Sequence, residues 1–229
     1  MSEHVPGLFI TGTDTEVGKT YVASLIAREL VAAGRRVGVY KPVASGCRRD
    51  GEQIISDDAV ALWKAAGRAG ELERVCPQRF MAPLAPHLAA RAEGREIDIE
   101  LLRHGLDYWR QRSDLILVEG VGGLMSPIGK EDYVAELAEE FGFPLVVVTR
   151  NALGTINQTL QTLITAATFR DGLPIAGIVL NTPALPGEDL SRQTNRKELA
   201  ARCVPPILSE VGWEGDGFDR QVDWADLAG

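Results

Sequence analysis

The sequence is poor in the residues that would commit it to several large protein classes. Cysteine occurs three times in 229 residues, at positions 47, 76 and 203, with no C-x-x-C pair. So sparse and odd a set fits reduced thiols better than a disulfide framework or a zinc site. Histidine is as rare, at 4, 87 and 104, without ligand spacing; His4 reads as tail and His104 as helix surface. No apolar run approaches the roughly 20 residues of a membrane span, so no membrane partner is expected. The opening Met1-Ser-Glu-His-Val-Pro lacks the basic-then-apolar order of a signal peptide, and the expectation is a soluble, cytoplasmic protein. Positive charge is short too: Lys plus Arg number 24 against 32 Asp plus Glu, a net charge of −8. The densest cationic cluster, Cys47-Arg48-Arg49, is followed at once by Asp50 and Glu52 and reads as a solvated loop. A nucleic-acid partner would need a basic stripe to neutralise phosphates, so none is expected.

What is present is a rhythm of short apolar runs and longer amphipathic ones. That predicts an α/β fold with a mostly parallel sheet and helices on both faces. Strands are expected at Gly7–Thr11, Arg36–Lys41, Leu115–Glu119, Leu145–Thr149, Ile175–Asn181 and, more weakly, Ile207–Val211. Helices are expected at Lys19–Ala33, Asp58–Ala66, Ile99–Arg112, Tyr133–Phe141, Thr155–Phe169 and Glu188–Arg202. Gly34 serves as a stop, and Ser56, Asp98 and Asp132 stand where N-caps are useful. The Pro- and Ala-rich stretch 68–96 fits no element and is expected as an irregular excursion over the active face. With no repeat or linker, residues 1–229 read as one domain; the tail 214–229 is acidic and glycine-containing, without a pattern that places an element.

The strongest chemical signal is Gly12-Thr-Asp-Thr-Glu-Val-Gly18-Lys19-Thr20, a G-x-x-x-x-G-K-[ST] loop between a strand and a helix. Inward backbone N–H groups and the positive end of the helix cradle phosphates, Lys19 reaches the β and γ phosphates, and the Thr20 hydroxyl suits Mg²⁺. This is the P-loop NTPase type of α/β fold, with ATP as the expected nucleotide. Asp114-Leu-Ile-Leu-Val-Glu119 delivers a carboxylate to a strand's carboxyl edge, where ligands of open α/β sheets bind. Gly120-Val121-Gly122-Gly123 then permits a close approach of backbone to ligand. Lys41 ends the second strand, either as a solvated terminus or as a functional cation. Asp57 and Asp58 either charge a helix start or supply a metal ligand.

Together, T-G-T-D-T-E-V-G-K-T at 11–20, Y-K-P-V-A-S-G at 40–46, S-D-D-A at 56–59, V-E-G-V-G-G at 118–123, L-G-T-I-N at 153–157 and Asn181 resemble the dethiobiotin synthase family, across residues 8 to 213. The resemblance implies a ligase that converts 7,8-diaminopelargonate, CO2 and MgATP into dethiobiotin, ADP and phosphate. One amine captures CO2 as a carbamate, ATP activates it as a carbamic–phosphoric anhydride, and the second amine closes the ring.

By the same resemblance Lys41 and Lys19 are catalytic, and Thr20, Asp58 and Glu119 hold Mg²⁺, with Asp58 preferred to Asp57 because it directly precedes the Ala that begins the helix. Thr15, Glu16, Val17, Gly18, Lys19, Thr20, Tyr21, Asp58, Glu119, Gly120, Val121 and Gly122 surround ATP, and Asn181, Thr182, Ser209, Glu210 and Val211 its base. Ser45 and Lys41 contact the substrate, and Leu153, Gly154 and Asn157 hold its carboxylate across a homodimer interface. Val211-Gly212-Trp213 departs from the family, which has a proline after the acid. The alternative is a partitioning or positioning ATPase switch. Those proteins carry a second lysine after the first glycine of the loop, where this chain has Thr13.

Overall fold

Strands without a polar face need cover on both sides, and the fold supplies it. The computed structural model describes residues 5–185 and 188–229; His4 lies outside the described residues. In chain order the elements are β1 (Gly7–Gly12), α1 (Lys19–Ala32), β2 (Val37–Tyr40), β3 (Val43–Ala44), β4 (Arg48–Asp50), β5 (Gln53–Ile55), α2 (Asp57–Ala65), α3 (Leu72–Val75), β6 (Gln78–Arg79), α4 (Pro86–Ala92), α5 (Ile99–Arg110), β7 (Leu115–Gly123), α6 (Val134–Phe141), β8 (Leu145–Arg150), α7 (Thr155–Thr168), β9 (Ile175–Asn181), α8 (Arg192–Arg202), β10 (Ile207–Val211) and α9 (Trp224–Ala228). The main sheet runs β10-β9-β8-β1-β7-β2. Every pairing in it is parallel. Leu8, Phe9 and Ile10 of β1, Ile116 to Val118 of β7 and Leu145 to Val148 of β8 are buried, as a sheet wrapped by helices requires. Among the described residues no helix is long and apolar enough to cross a membrane.

Helix ends follow local chemistry. Gly34 at φ +82° closes α1, its N–H on the Val31 carbonyl and the Arg35 N–H on that of Leu30. Ser56 caps α2 by accepting from the Ala59 N–H at 3.2 Å, and Asp98 caps α5 by accepting from the Leu101 N–H at 2.9 Å.

Several boundaries differ from the sequence expectations. Asp132 is not the cap of α6: Tyr133 is the N-cap, and Glu136 takes its N–H at 2.6 Å. The Asp132 carboxylate turns instead toward Arg103, 3.6 Å away. The helix expected from Glu188 begins at Arg192, because Asp189 folds a turn in front of it, accepting the Ser191 N–H at 3.0 Å and hydroxyl at 2.6 Å. The β7 strand continues past Glu119 to Gly123. Arg48 and Arg49 lie in an exposed antiparallel hairpin, β4 with β5, rather than a loop. The stretch 68–96 holds α3, β6 and α4, with β6 pairing in parallel with β3.

The tail is packed. Trp224 is buried, donates through Nε1 to Glu29 Oε2 of α1 at 2.8 Å, and lies 4.9 Å from the Phe218 ring. Asp219 Oδ1 accepts from the Ser209 hydroxyl at 2.6 Å and the Glu210 N–H at 2.7 Å, fastening the tail to β10. Trp224→Ala is expected to lower unfolding free energy by about 3–5 kcal/mol, read as an earlier urea midpoint at unchanged m-value.

Candidate active site

Parallel register assembles the site. β1 lies between β7 and β8, with Ile10 opposite Glu119, and β2 pairs β7 with Tyr40 opposite Val118. The next residue on each of these two strands is therefore Lys41 and Glu119, emerging side by side at the carboxyl edge.

The loop from Gly12 to Gly18 follows β1. Gly18 sits at φ +88°, and a Cβ there would come within 2.0 Å of Asn181 Nδ2. A Cβ on Gly12 would meet Val17 Cγ2 at 2.8 Å. Close approach thus requires glycine at both motif positions, and at Gly18 the left-handed backbone requires it as well. Asn181, buried at the end of β9, donates from Nδ2 to the Val17 carbonyl at 2.8 Å and so buttresses the loop from below. A buried hydroxyl chain does the same from β8. Thr13 Oγ1 donates to Thr149 Oγ1 at 3.2 Å, and that oxygen also meets the hydroxyls of Thr155 at 2.7 Å and Thr159 at 3.0 Å on α7.

Lys41, 3% exposed, donates from Nζ to Glu119 Oε1 at 2.6 Å and to Asp58 Oδ2 at 2.9 Å. The Thr20 hydroxyl donates to the same Glu119 Oε1 at 2.8 Å. Burial works against the Lys41 ammonium, but Glu119 and Asp58 more than offset it and hold its pKa above the ordinary lysine value. Burial likewise opposes the Asp58 carboxylate, and Lys41 outweighs it, leaving the pKa lowered. Lys19 donates to the Asp14 carbonyl at 3.1 Å. Its pKa falls to about 8, chiefly through burial, with Glu119 pulling the other way. Asp57 faces outward and pairs with Arg48 at 2.9 Å, so Asp58 alone of the two acids turns to Lys41.

These groups line a cavity of about 1150 Å³. Thr15, Glu16, Gly18, Lys19, Thr20 and Tyr21 face it from the loop and α1, and Asp58, Glu119, Val121 and Gly122 from the neighbouring elements. Lys41 and Ser45 complete the set from β2 and β3. Val17 and Gly120 are buried behind this wall. Thr182 and Val211 lie at adjacent strand ends, the Thr182 N–H on the Val211 carbonyl at 2.9 Å. Ser209 is committed to Asp219, and Glu210 to Arg196 at 3.2 Å. Leu153, Gly154 and Asn157 do not reach this chain's cavity; they are exposed, and Asp189 takes the Leu153 N–H at 2.8 Å.

The proline-rich stretch 68–96 does pass over the active face, as expected, and Pro83 to Pro86 form a wall of the cavity. Sequence reasoning missed Ser126 and Pro127 on that wall, and Asp219, whose partners Ser209 and Glu210 lie ten and nine residues back.

Chemically, a cradle of backbone N–H groups with Lys19 at its end suits a polyphosphate. The donor set also fits a hard divalent cation. Two carboxylates and a hydroxyl converge beside that cradle, and Glu119 Oε2 is buried without a protein partner. Mg²⁺ is one such cation, taking one or two carboxylates and completing its shell with phosphate oxygens and water. Among the described residues no group of three or more His, Cys, Asp or Glu is placed to hold a metal.

The family model described as an AAA domain matches residues 6–216. The chain is 42% identical over 215 residues to the ATP-dependent dethiobiotin synthetase BioD of Rhodopirellula baltica, covering 89% of this chain and 82% of that protein. It is 43% identical over 210 residues to the protein of the same name from Anaeromyxobacter dehalogenans strain 2CP-C, covering 92% and 91%. Among solved structures, the ParA family ATPase from Chlorobium tepidum TLS matches with a TM-score of 0.56 at 16% identity, over 93% of this chain and 86% of that one. At that identity the likeness is one of fold, the P-loop NTPase type of α/β sheet.

Bound phosphates favour a charged Lys19. Since its pKa is lowered to about 8, nucleoside triphosphate affinity should be full below that pH, where the ammonium is already present. Above it, affinity should fall by up to about tenfold per pH unit. Calorimetric titration of ATP from about pH 7 to 9.5 checks this, with a flat profile expected for Lys19→Met.

Proposed function

Because this chain belongs to the ATP-dependent dethiobiotin synthetase family, we propose that its cavity closes the cyclic urea of dethiobiotin from 7,8-diaminopelargonate, CO2 and ATP, with the roles that follow. It is an ATP-dependent cyclo-ligase of biotin biosynthesis. The observation that carries the assignment of roles is the pairing of buried Lys41 and Glu119 with the half-exposed Asp58 and with Thr20, the last residue of the phosphate-loop motif.

The loop N–H groups from Thr15 to Gly18, with Lys19 and Tyr21, bind the phosphates. Thr20, Asp58 and Glu119 would hold Mg²⁺, which when bound neutralises phosphate charge. A carbamate is a poor electrophile until its oxygen receives the γ-phosphoryl group, and both reactants are anionic. Lys19 and Lys41, on opposite sides of the transferring group, offset the charge that gathers there. Attack by the second amine on the carbonyl then expels phosphate, and the amine's proton leaves with the bond formed. Ser45, on the cavity wall near Lys41, orients the diamine.

Val121 and Gly122 border the phosphates, with Gly120 packed behind them. The base lies between the ends of β9 and β10, near Thr182 and Val211. Asn181 supports that placement, because its Oδ1 is buried without a partner among the described residues and can accept from an exocyclic amine. Ser209 and Glu210, engaged by Asp219 and Arg196, shape this edge rather than read the base. We assign the protein to the cytoplasm, as one ATP-binding domain that works as a homodimer. In the dimer the first turn of α7 in the second copy, with its Leu153, Gly154 and Asn157, receives the substrate carboxylate. The exposed Leu153 supports this, as do the Ile156 and Asn157 N–H groups, which have no backbone acceptor among the described residues.

Incubation with diaminopelargonate, bicarbonate and MgATP should yield dethiobiotin by mass, with one phosphate released per ring, and Lys19→Ala should abolish it. Phosphate release without dethiobiotin would instead indicate a positioning-type ATPase.

Complementation tests the shared site. Gly154 holds φ +96°, so a substitution there would be confounded by strain; Leu153→Asp places a like charge against the carboxylate without that. Lys19→Ala disables the other half of the site. After subunit exchange, half the dimers are mixed and each keeps one intact site. Activity should return to about a quarter of wild type. A fully exchanged mixture that stays inactive would confine each site to one chain.

A further inference from the structure

The turn that leads into α7 ends in the open yet is held from behind. Leu153 within it is 85% exposed. Asn195, buried in α8, donates from Nδ2 to Asn151 Oδ1 at 3.0 Å and lies 3.3 Å from the Ala152 carbonyl. That carbonyl can only accept, so it fixes which end of the amide faces the turn. Asp189 Oδ2 takes the Leu153 N–H at 2.8 Å, and Asp189 Oδ1 accepts the Ser191 hydroxyl, whose oxygen is 3.3 Å from Asn195 Nδ2. Residues 151, 152 and 153 are thus each gripped by the start of α8. The helix they lead into does not fix its own entry: its N-cap is Gly154 at φ +96°, with no side-chain cap. A surface that receives a ligand or a second subunit gains from such bracing, because a turn already in its bound shape loses little freedom on association.

We propose that Asn195 is a positioning residue for ring closure: through Asn151 and Ala152 it presets the first turn of α7, and its effect is felt in the active site of the other subunit. The inference rests on the shared site proposed above. The N–H groups of Ile156 and Asn157 converge on a carboxylate only while the turn before them keeps its shape, and glycine at the hinge leaves that shape to α8. Asn195 touches no substrate; it acts through the turn. Asn151 also gives its N–H to the Asn181 carbonyl at 2.7 Å, which ties the same turn to this chain's own base site. The two routes differ in which substrate is affected and in which subunit.

The test is the steady-state kinetics of Asn195→Ala. The KM for diaminopelargonate should rise by about tenfold, as for one buried hydrogen bond lost, while kcat and the ATP KM stay within about twofold. An unchanged diaminopelargonate KM overturns the proposal. So does a raised ATP KM, which would put the effect on the base site through Asn181. Asn151→Ala removes the same hydrogen bond from the other side and should give the same pattern, with the double variant no worse than the poorer single one. It also serves if Asn195→Ala does not fold. Hydrogen exchange of the 153–157 amides, read by mass spectrometry, should quicken in Asn195→Ala while the 12–18 loop is unchanged; wild-type protection overturns the bracing. Mixed dimers then locate the effect. With Lys19→Ala subunits in large excess and exchange confirmed, nearly every Asn195→Ala chain pairs with a Lys19→Ala chain. The one site with an intact loop then borrows an unaltered turn, and its KM should return to the wild-type value. A KM that stays raised, where the Leu153→Asp mixture regains activity, overturns action across the interface. A Leu153→Asp mixture that stays inactive removes the shared site itself, and the proposal with it.

Discussion

One buried ammonium, set between a carboxylate on β7 and another on α2, is the contact around which this end of the molecule is arranged. A buried ion pair adds little net stability, because desolvation consumes most of the Coulomb gain, but breaking one leaves an uncompensated charge in a poor dielectric. The Lys41 cluster therefore works as a constraint on position. It requires β2 and β7 to pair in one register, since a slip of one residue would turn Lys41 or Glu119 to the other face of the sheet. It requires α2 to begin where Ser56 caps it, or Asp58 would not reach. The phosphate loop is held from two further strands, by the Asn181 amide and by the Thr149 hydroxyl, so its cradle is shaped before any anion arrives. Such preorganisation is what lets fixed dipoles act on a charged reaction without reorganising at each turnover.

Much of this was legible in the residues because the controlling physics is local. Leu115 to Val118 and Leu145 to Val148 announce buried strands by lacking a polar face. The phosphate loop is written in consecutive residues, and Ser56, Asp98 and Gly34 act within four positions of themselves. Legibility failed where neighbours compete for the same task. Asp132 and Glu136 could each satisfy the start of α6, and the choice fell to Glu136 because Arg103 draws Asp132 aside. Asp189 could have lain inside a helix but accepts the Leu153 N–H from another part of the chain, and α8 starts later as a result. The role of Asp219 was invisible for a related reason: its partners, the Ser209 hydroxyl, the Glu210 N–H and the Arg196 guanidinium, are brought together only where β10 and α8 pack.

The cluster at the active edge also explains how Asp57 and Asp58 acquire different fates from adjacent positions. Helical geometry points consecutive side chains about 100° apart, so only one can turn inward. The outward Asp57 meets Arg48 of the β4–β5 hairpin, and that exposed pair contributes little energy while removing a rival carboxylate from the site.

The phosphate loop borrows its stiffness from distant parts of the chain. Glu29, in the helix that the loop opens, meets Trp224 across 195 positions, and Tyr21 meets the Gly215 carbonyl across 194. Asn181 reaches back 164 positions to Val17, and Glu119 reaches back 99 to Thr20. Contacts of such long range are slow to close. The loop's nine consecutive residues therefore spell out a cradle that only the assembled sheet can hold in shape, and loosening any of these remote braces is a way to soften phosphate binding without touching the motif.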